Sequence, residues 1–167
     1  MCLTASRPAR ATSVRLRASL LGVTMVEVVI VVAIIGVLAG MAVPSFLEFA
    51  RNQRIRAAAS DLHISLMRAR SEAIKRNANV SIQPTSTSNW GLGWSIPDPE
   101  GGATALDNWS SYAGVNATGP TSVTYRSSGR LNGTTAPSFE VSATGSNVKR
   151  CVSVDLTGRP TTTATAC

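Results

Sequence analysis

Glu27 is the only charged residue between Gly22 and Pro44, in a stretch that is otherwise almost wholly apolar. A carboxylate inside a bilayer-spanning segment costs about 2.5–3.5 kcal/mol near the centre and less near the end, where Glu27 lies. The favourable chemistry open to such a group is pairing with a cation. A free N-terminal amine on a neighbouring subunit would serve, and cleavage just before Val23 would create that amine. Gly22 supplies a small residue at this cleavage position.

Three interpretations of this stretch stay open on these residues alone. A cleaved secretory signal would use the small residues 39–42 as its cleavage region, but the apolar run is long and Glu27 would lie inside it. A plain membrane anchor gains nothing from a buried carboxylate. An assembly segment does gain, because the carboxylate finds its partner when subunits leave the bilayer and pack together.

Residues 23–49 have enough apolar length to cross a bilayer core of about 30 Å. Residues 1–22 precede this span and hold four arginines and no acid, which is typical of a targeting leader rather than of part of a fold. The positive-inside rule then puts residues 1–22 in the cytoplasm and everything after the span outside it.

The helical pattern continues beyond the span, over residues 50–77. Six apolar residues step by four and three positions along one face: Ile55, Ala59, Leu62, Leu66, Ala69 and Ala73. This spacing predicts an amphipathic helix, and one helix from about Thr24 to Arg76 would be on the order of 80 Å long. Three residues inside the span predict a bend or local melting: Gly36, Gly40 and Pro44.

Residues 78–167 have a different composition, in which short β-like runs alternate with turn residues. The predicted strands are Val80–Gln83, Gly91–Ile96, Ser122–Arg126, Ser138–Ser142 and Val148–Leu156. Turns or loops are predicted at 97–102, 116–120, 128–129 and 132–133. The fold class is therefore predicted as α+β, with a long N-terminal helix packed by its apolar stripe on an antiparallel β-sandwich-like domain.

The formal net charge of +7 is unevenly distributed. The chain has a basic leader, a basic helix and a neutral C-terminal part, which is unlike a protein that binds nucleic acid over its whole surface. His63 is the only histidine, and the sequence shows no Ser–His–acid set, no phosphate loop and no cluster of metal ligands. We therefore predict neither an enzyme nor a bound metal or other cofactor.

Two cysteines, Cys151 and Cys167, bracket one terminal loop. They predict a disulfide if this part of the chain lies outside the cytoplasm, and two free thiols if it does not. Closing a loop of this length would stabilise the fold by about 3 kcal/mol in the chain-entropy model.

The residues around Glu27 also carry a family resemblance. Gly22 followed by Val-Thr-Met-Val-Glu and a long apolar run is similar to the class III signal of type IV pilins and type II secretion pseudopilins. That signal has Gly before Phe-Thr-Leu-Ile-Glu, and a Pro at the spacing that separates Pro44 from Glu27. Val23 stands where Phe is usual.

Four later segments resemble the FimT/GspH group of these proteins. They are the helix 62–76 with its phrase ARSEAIKR, the hairpin 90–96 followed by Asp98, the segment 123–126 with Gly129-Arg130, and the terminal segment 155–160. The chain is thereby identified as similar to FimT/GspH minor pilins and pseudopilins over residues 22–167, with a pilin-like fold.

The resemblance implies a processing pathway and a division of the chain. A prepilin peptidase would remove the class III leader 1–22 by cutting between Gly22 and Val23, Val23 would be N-methylated, and Glu27 would pair with the amine of a neighbouring subunit. Residues 23–49 would be the transmembrane and assembly helix of a single-pass inner-membrane precursor, residues 50–77 an amphipathic helix, and residues 78–167 a periplasmic β domain.

The implied function is assembly rather than catalysis. The protein would join other pilins or pseudopilins in a type IV pilus or a type II secretion pseudopilus, near the tip, in fimbrial biogenesis or protein secretion.

The alternative is DNA binding during uptake in natural transformation, because some FimT-like minor pilins bind DNA through a GRxR tail. Gly158-Arg159 matches the first half of that tail, and Thr161 replaces its second arginine. The possible DNA contacts are therefore Arg159, Lys149 and Arg150, and so few charges would bind weakly and in a salt-sensitive way.

Gly22→Glu is expected to block maturation, because a large charged side chain replaces the small residue beside the scissile bond. An immunoblot of cells that contain a prepilin peptidase would show only the precursor-sized band. Glu27→Ala is the control, since it is expected to leave processing intact. A mature-sized band from the Gly22→Glu protein would contradict the assigned cleavage site.

Overall fold

The longest element is α1, a helix of 52 residues from Met25 to Arg76. A computed structural model describes residues 22–86 and 89–167, so the predicted leader, apart from Gly22, lies outside the described residues. By its internal contacts the chain divides into two units, Met1–Gly40 and Met41–Cys167.

Every residue of α1 is helical, including Gly36, Gly40 and Pro44. The local melting predicted at these residues is therefore absent from the structure. Pro44 lacks one backbone donor, and the loss of a single hydrogen bond leaves the dihedral angles of the neighbouring residues helical. A bend at these residues stays a prediction.

The C-terminal end of α1 is closed by Asn77, which adopts a left-handed conformation with φ 50°. The backbone N–H of Ala78 donates to the carbonyl of Ala73 at 3.2 Å, across the end of the helix. This is the hydrogen bond of a Schellman cap, and Asn is one of the few residues that takes the left-handed position in it readily.

Burial differs sharply along α1. Residues 23–49 are all exposed, and the first residues with substantial burial are Ala50 and those after it. The face buried beyond that point contains the six apolar residues predicted from the spacing together with Ala58 and Ser65. The predicted stripe is therefore the face by which the second part of α1 joins the core.

Residues 22–86 and 89–167 contain eight strands, which form two antiparallel sheets of four. In chain order they are β1 (Val80–Pro84), β2 (Gly93–Ile96), β3 (Asp107–Ser110), β4 (Val115–Thr118), β5 (Val123–Tyr125), β6 (Ser138–Ala143), β7 (Arg150–Val154) and β8 (Pro160–Thr163). The first sheet has the order β3-β2-β1-β5 and the second has the order β4-β6-β7-β8. The predicted α+β class, a long helix packed on antiparallel sheets, is confirmed.

Three of these strands, β3, β4 and β8, were not predicted from the sequence, and the loop predicted at 116–120 was wrong because β4 occupies its first part. The three strands read DNWS, VNAT and PTTT, so they are polar and give a weak strand signal. Each is an edge strand of its sheet. Hydrogen bonds to the neighbouring strand stabilise the extended conformation, which the local sequence favours only weakly.

The stripe of α1 contacts both sheets. Trp94 of β2 donates its indole N–H to the hydroxyl of Ser65 at 2.7 Å, and that hydroxyl donates to the carbonyl of Asp61 at 2.7 Å. His63 is hydrogen-bonded to Thr162 of β8 at 3.1 Å. Ser65 is fully buried, so its two hydrogen bonds remove the cost of burying a hydroxyl and an indole N–H.

The disulfide predicted for Cys151 and Cys167 is present, with the two Cα atoms 5.0 Å apart. Cys151 lies in β7, and Cys167 follows β8 by four residues. The bond therefore ties the edge strand β8 and the chain after it to the interior strand β7.

Tyr112 connects the loop between β3 and β4 to the helix. Its hydroxyl donates to the carboxylate of Asp61, and Arg54 donates to the carbonyl of Ala113 in the same loop at 3.4 Å. The hydrogen bond to Asp61, helped by partial burial, raises the pKa of Tyr112 to about 12. The loop is thereby held on α1 by two polar contacts.

The free energy of unfolding is expected to fall as the pH rises from about 10 towards 12. In this interval the unfolded state releases the Tyr112 proton while the folded state keeps it, so stability present below pH 10 is lost as the pH rises through the folded-state pKa. Denaturant titrations of the detergent-solubilised chain at several pH values would measure the slope.

Tyr112→Phe is expected to make this slope shallower but not to remove it. Burial also raises the pKa of Tyr125, the other tyrosine of the chain, and its effect on stability has the same sign. The same slope in the Tyr112→Phe protein and the unsubstituted protein would show that the bond to Asp61 does not stabilise the fold.

Candidate assembly site and basic surfaces

Thr24 caps the start of α1. Its hydroxyl oxygen accepts a hydrogen bond from the backbone N–H of Glu27 at 3.3 Å, and its carbonyl accepts one from Val28 at 3.2 Å. A capping hydroxyl satisfies one of the N–H groups that have no partner within the helix. In the sequence, Thr24 was noted only as part of the pilin-like motif, although Thr-x-x-Glu is also the spacing of a capping box.

Glu27 is exposed in the first turn of α1. The partial positive charge of the helix N-terminus favours a carboxylate there by about 0.3–1 kcal/mol, which offsets only part of the cost of keeping it in an apolar segment. Within the described part of the chain, Glu27 forms no ion pair. Its side chain can therefore accept a cation from another molecule.

Gly22 and Val23 precede the cap in non-helical backbone and are both exposed. Val23 is 70% exposed, and a Cβ atom added to Gly22 would meet no atom within 4 Å. Packing among the described residues therefore does not require glycine at position 22. The Gly22–Val23 peptide bond is accessible in this arrangement.

The first part of α1 presents a continuous apolar surface. Seventeen large apolar side chains between Val23 and Phe49 are 49–85% exposed. Contiguous apolar surface of this extent marks contact with a membrane or with another protein, and α1 is long and apolar enough to cross a membrane. This segment is a candidate membrane anchor.

A second candidate surface is built from two turns that touch. One turn joins Arg126 to Arg130, and the other, Asp155–Arg159, joins β7 to β8. Gly158 has φ 85°, and a Cβ atom there would clash with the carbonyl oxygen of Gly129. Gly158 is therefore a structural residue that lets the two turns approach.

Arg70 of α1 donates one hydrogen bond to each of the two turns and so links them. Its Nε donates to the carbonyl of Gly129 at 3.0 Å, and one terminal nitrogen donates to the carbonyl of Thr157 at 3.4 Å. Asp155 closes its own turn by accepting from the hydroxyl of Thr157 at 2.6 Å and from the backbone N–H of Arg159 at 2.9 Å. These hydrogen bonds, that of Thr157 foremost, lower the pKa of Asp155.

The touching turns bring four arginines to one end of the domain: Arg70, Arg126, Arg130 and Arg159. Three of them are exposed, and Arg70 is half-buried. Of the ion pairs formed by the described residues, none includes any of the four. We call this set the turn arginines. Sequence reasoning selected Arg159 and missed the other three, because only the contact between Gly129 and Gly158 places the two turns side by side.

Of the three possible DNA contacts predicted from the sequence, Lys149 and Arg150 do not lie beside Arg159. They stand at the start of β7, whereas Arg159 follows the turn at its other end, and five residues of strand separate the ends by about 16 Å. Lys149 is also paired with Glu140 at 2.7 Å. The antiparallel pairing of Val154 with Pro160 at one end and of Cys151 with Thr163 at the other sets this separation.

The described residues contain no group of three or more His, Cys, Asp or Glu side chains that could hold a metal ion. The arrangement instead offers an exposed apolar helix, a carboxylate near its start and basic surfaces on the C-terminal unit.

Residues 58–158 match the family described as type II transport protein GspH. The matched region is more than half of the chain. It includes α1 from Ala58 onward and strands β1 to β7, and it ends at Gly158, one residue before Arg159. No curated protein sequence matches the chain.

Solved structures of two proteins resemble this fold. The type IV minor pilin FimU of Pseudomonas aeruginosa, in two crystal forms, has TM-scores of 0.62 and 0.59 with 26% and 27% identity; the matches cover 71% and 67% of this chain and 96% of FimU in both. The minor pseudopilin EpsH from the type 2 secretion system of Vibrio cholerae has a TM-score of 0.53 with 12% identity, covering 66% of this chain and 97% of EpsH. The likeness to EpsH concerns the fold alone.

The family match covers the stripe of α1 from Ala59 onward and seven of the eight strands on which the helix packs, and the FimU and EpsH structures share this fold. With its helix, its two sheets and its exposed apolar segment, this chain belongs to the GspH family of minor pilins and pseudopilins.

Proposed function

We propose that this chain is a minor subunit of a type IV pilus or a type II secretion pseudopilus, incorporated near the tip of the fibre. It is made as a single-pass inner-membrane precursor whose C-terminal domain is periplasmic. A prepilin peptidase cuts between Gly22 and Val23, and Val23 is then N-methylated. The mature protein assembles with other pilins or pseudopilins.

The observation that carries this proposal is the exposed apolar segment 23–49. Burying one Val, Leu, Ile, Met or Phe side chain is worth about 1.5–3 kcal/mol, and seventeen such side chains lie open along this segment. A bilayer covers them in the precursor. Helices of neighbouring subunits cover them in the fibre, and the segment exchanges one apolar environment for the other.

Pairing of Glu27 favours the fibre over the bilayer. In the bilayer its carboxylate is costly, and the first-turn dipole offsets the cost only in part. In the fibre the amine of a neighbouring Val23 supplies a positive charge, and a charge-assisted hydrogen bond between the two is stronger than a neutral one. Leaving the bilayer for the fibre is favourable for this residue only if that amine is present.

The higher identity to FimU supports the type IV pilus over the secretion pseudopilus. FimU is a type IV minor pilin, and its identity to this chain is 26–27%, against 12% for the pseudopilin EpsH.

Glu27→Gln is expected to be cleaved normally but to be lost from fibres. Glutamine keeps the hydrogen-bonding capacity that a capping box uses, so the start of α1 is retained while the charge is removed. Immunoblots of sheared fibres and of whole cells would give the incorporated fraction. Glu48→Gln, which changes an exposed carboxylate of the same helix, is the matched control. Incorporation of the Glu27→Gln protein at the normal level would refute the intersubunit ion pair.

DNA binding is a second candidate function, and the turn arginines favour it. Three exposed guanidinium groups and Arg70 lie at one end of the domain and form no ion pair among the described residues. Asp155, in the turn of Arg159, is the acid whose charge interacts with Arg70. Guanidinium groups bind phosphate oxygens well. The cluster is larger than the single Arg159 found by motif, although three or four charges still give a weak, salt-sensitive complex.

Arg130→Ala and Arg159→Ala are each expected to weaken binding to duplex DNA and to reduce the slope of log K against log salt by about 0.9. Fluorescence anisotropy with a labelled duplex and the full chain in uncharged detergent would measure both quantities. Arg54→Ala removes the same charge far along α1 and is expected to leave the slope unchanged. Absence of binding at low salt, or equal losses in all three proteins, would eliminate this candidate.

A further inference from the structure

A hollow of about 400 Å³, lined by two arginines, lies between the second part of α1 and the second sheet. It is separate from the turn arginines and from the apolar segment. Its lining residues are Arg56, Ala59, Ser60, His63, Arg150 and Thr162. Four of them come from α1 and the other two from β7 and β8. We call it the β7 hollow.

The strand alternation explains how Arg150 and Thr162 come to face the helix. Val152 is fully buried beneath α1, and Arg150 lies two residues before it on the same face of β7. Thr162 pairs with Val152 across the ladder, and its hydroxyl is hydrogen-bonded to the imidazole of His63 at 3.1 Å. The disulfide at Cys151 ties β7 to the chain after β8, so this side of the hollow is covalently held.

The charges around the hollow are of one sign. Arg56 and Arg150 both line it, and no carboxylate is among its lining residues. Neither arginine takes part in an ion pair within the described part of the chain. The Nε of Arg150 is buried and has no hydrogen-bond partner there. Two unneutralised guanidinium groups around one hollow repel each other, and a bound anion relieves that repulsion.

The nearby acids are already engaged. Glu140, across the ladder beside Arg150, is paired with Lys149 at 2.7 Å. Asp61, which follows Ser60 on α1, accepts the hydroxyl of Tyr112. Neither carboxylate is therefore available to the hollow without breaking an existing contact.

From this arrangement we propose that the β7 hollow binds an oxyanion, either a phosphate group or a carboxylate. Planar guanidinium groups suit both, because each offers parallel N–H donors to two oxygens. Ser60 and Thr162 add hydroxyl donors, and His63 adds an imidazole. The site shares no residue with the apolar segment or with the turn arginines, so it can be tested apart from both proposed functions.

His63 makes the test direct, because it is the only histidine of the chain. The untagged full chain in uncharged detergent is titrated with sodium phosphate at constant pH and ionic strength, and the imidazole ring signals are followed by NMR. A saturable shift of these signals is the expected result. A parallel titration with sodium acetate tells whether a carboxylate is also accepted, and saturation by either anion supports the site.

Arg56→Gln and Arg150→Gln are each expected to weaken the saturable shift by about tenfold or more, since each loses hydrogen bonds to a charged ligand. Arg56 is exposed, so its replacement leaves the fold intact even if that of Arg150 does not. Arg54→Gln, which removes the same charge two residues earlier on α1, is expected to bind as the unsubstituted protein does. Absence of any saturable shift, or equal affinity in the Arg56→Gln and Arg54→Gln proteins, would overturn the proposal.

Discussion

The asymmetry of α1 is the constraint on which the rest of this structure depends. From Ile55 to Ala73 the helix buries one face against two sheets, whereas its apolar side chains from Val23 to Phe49 are covered by nothing in the described chain. In water that second condition is strongly unfavourable, because each large apolar side chain is worth about 1.5–3 kcal/mol on burial. The second part of the helix therefore belongs to the folded core, whereas the apolar surface of the first part has to be covered by lipid or by other helices.

The first turn of α1 is stabilised locally, although it contains a carboxylate within an apolar segment. Thr24 caps the first turn, and Glu27 lies where the helix dipole favours an acid. A carboxylate further along the apolar segment would have no such local compensation. The helix dipole thus stabilises the Glu27 carboxylate in part, and a positive charge from another molecule would stabilise it further.

The basic groups of the C-terminal unit lie in two places, one at each end of β7. At the start of β7, Arg150 faces α1 across the β7 hollow, and at its end the turn of Arg159 meets that of Arg130. The disulfide ties β7 to the chain beyond β8, so the edge strand that contributes Thr162 cannot separate from the sheet without straining a covalent link. The C-terminal unit therefore presents two distinct basic surfaces, each of which combines an arginine of α1 with one or more arginines of the β domain.

Periodic patterns in the sequence predicted the elements that bury a long face. The spacing from Ile55 to Ala73 predicted the stripe correctly, because a helix repeats every 3.6 residues whatever it packs against. The edge strands β3, β4 and β8 were missed, because their polar residues form strands only through hydrogen bonds to a neighbour. The disulfide was predicted because its two cysteines are the only ones beyond the leader.

The sequence by itself determined the apolar segment with a carboxylate near its start, the amphipathic stripe, the α+β class and the disulfide pair. These follow from residue types and local spacing, which do not depend on how the chain closes. Only the tertiary structure decided which arginines are neighbours. Gly129 and Gly158 are distant in sequence, and their contact joins Arg130 to Arg159 while the register of β7 and β8 carries Arg150 away from them. Proximity across strands depends on register and on turn contacts, and no local pattern encodes either.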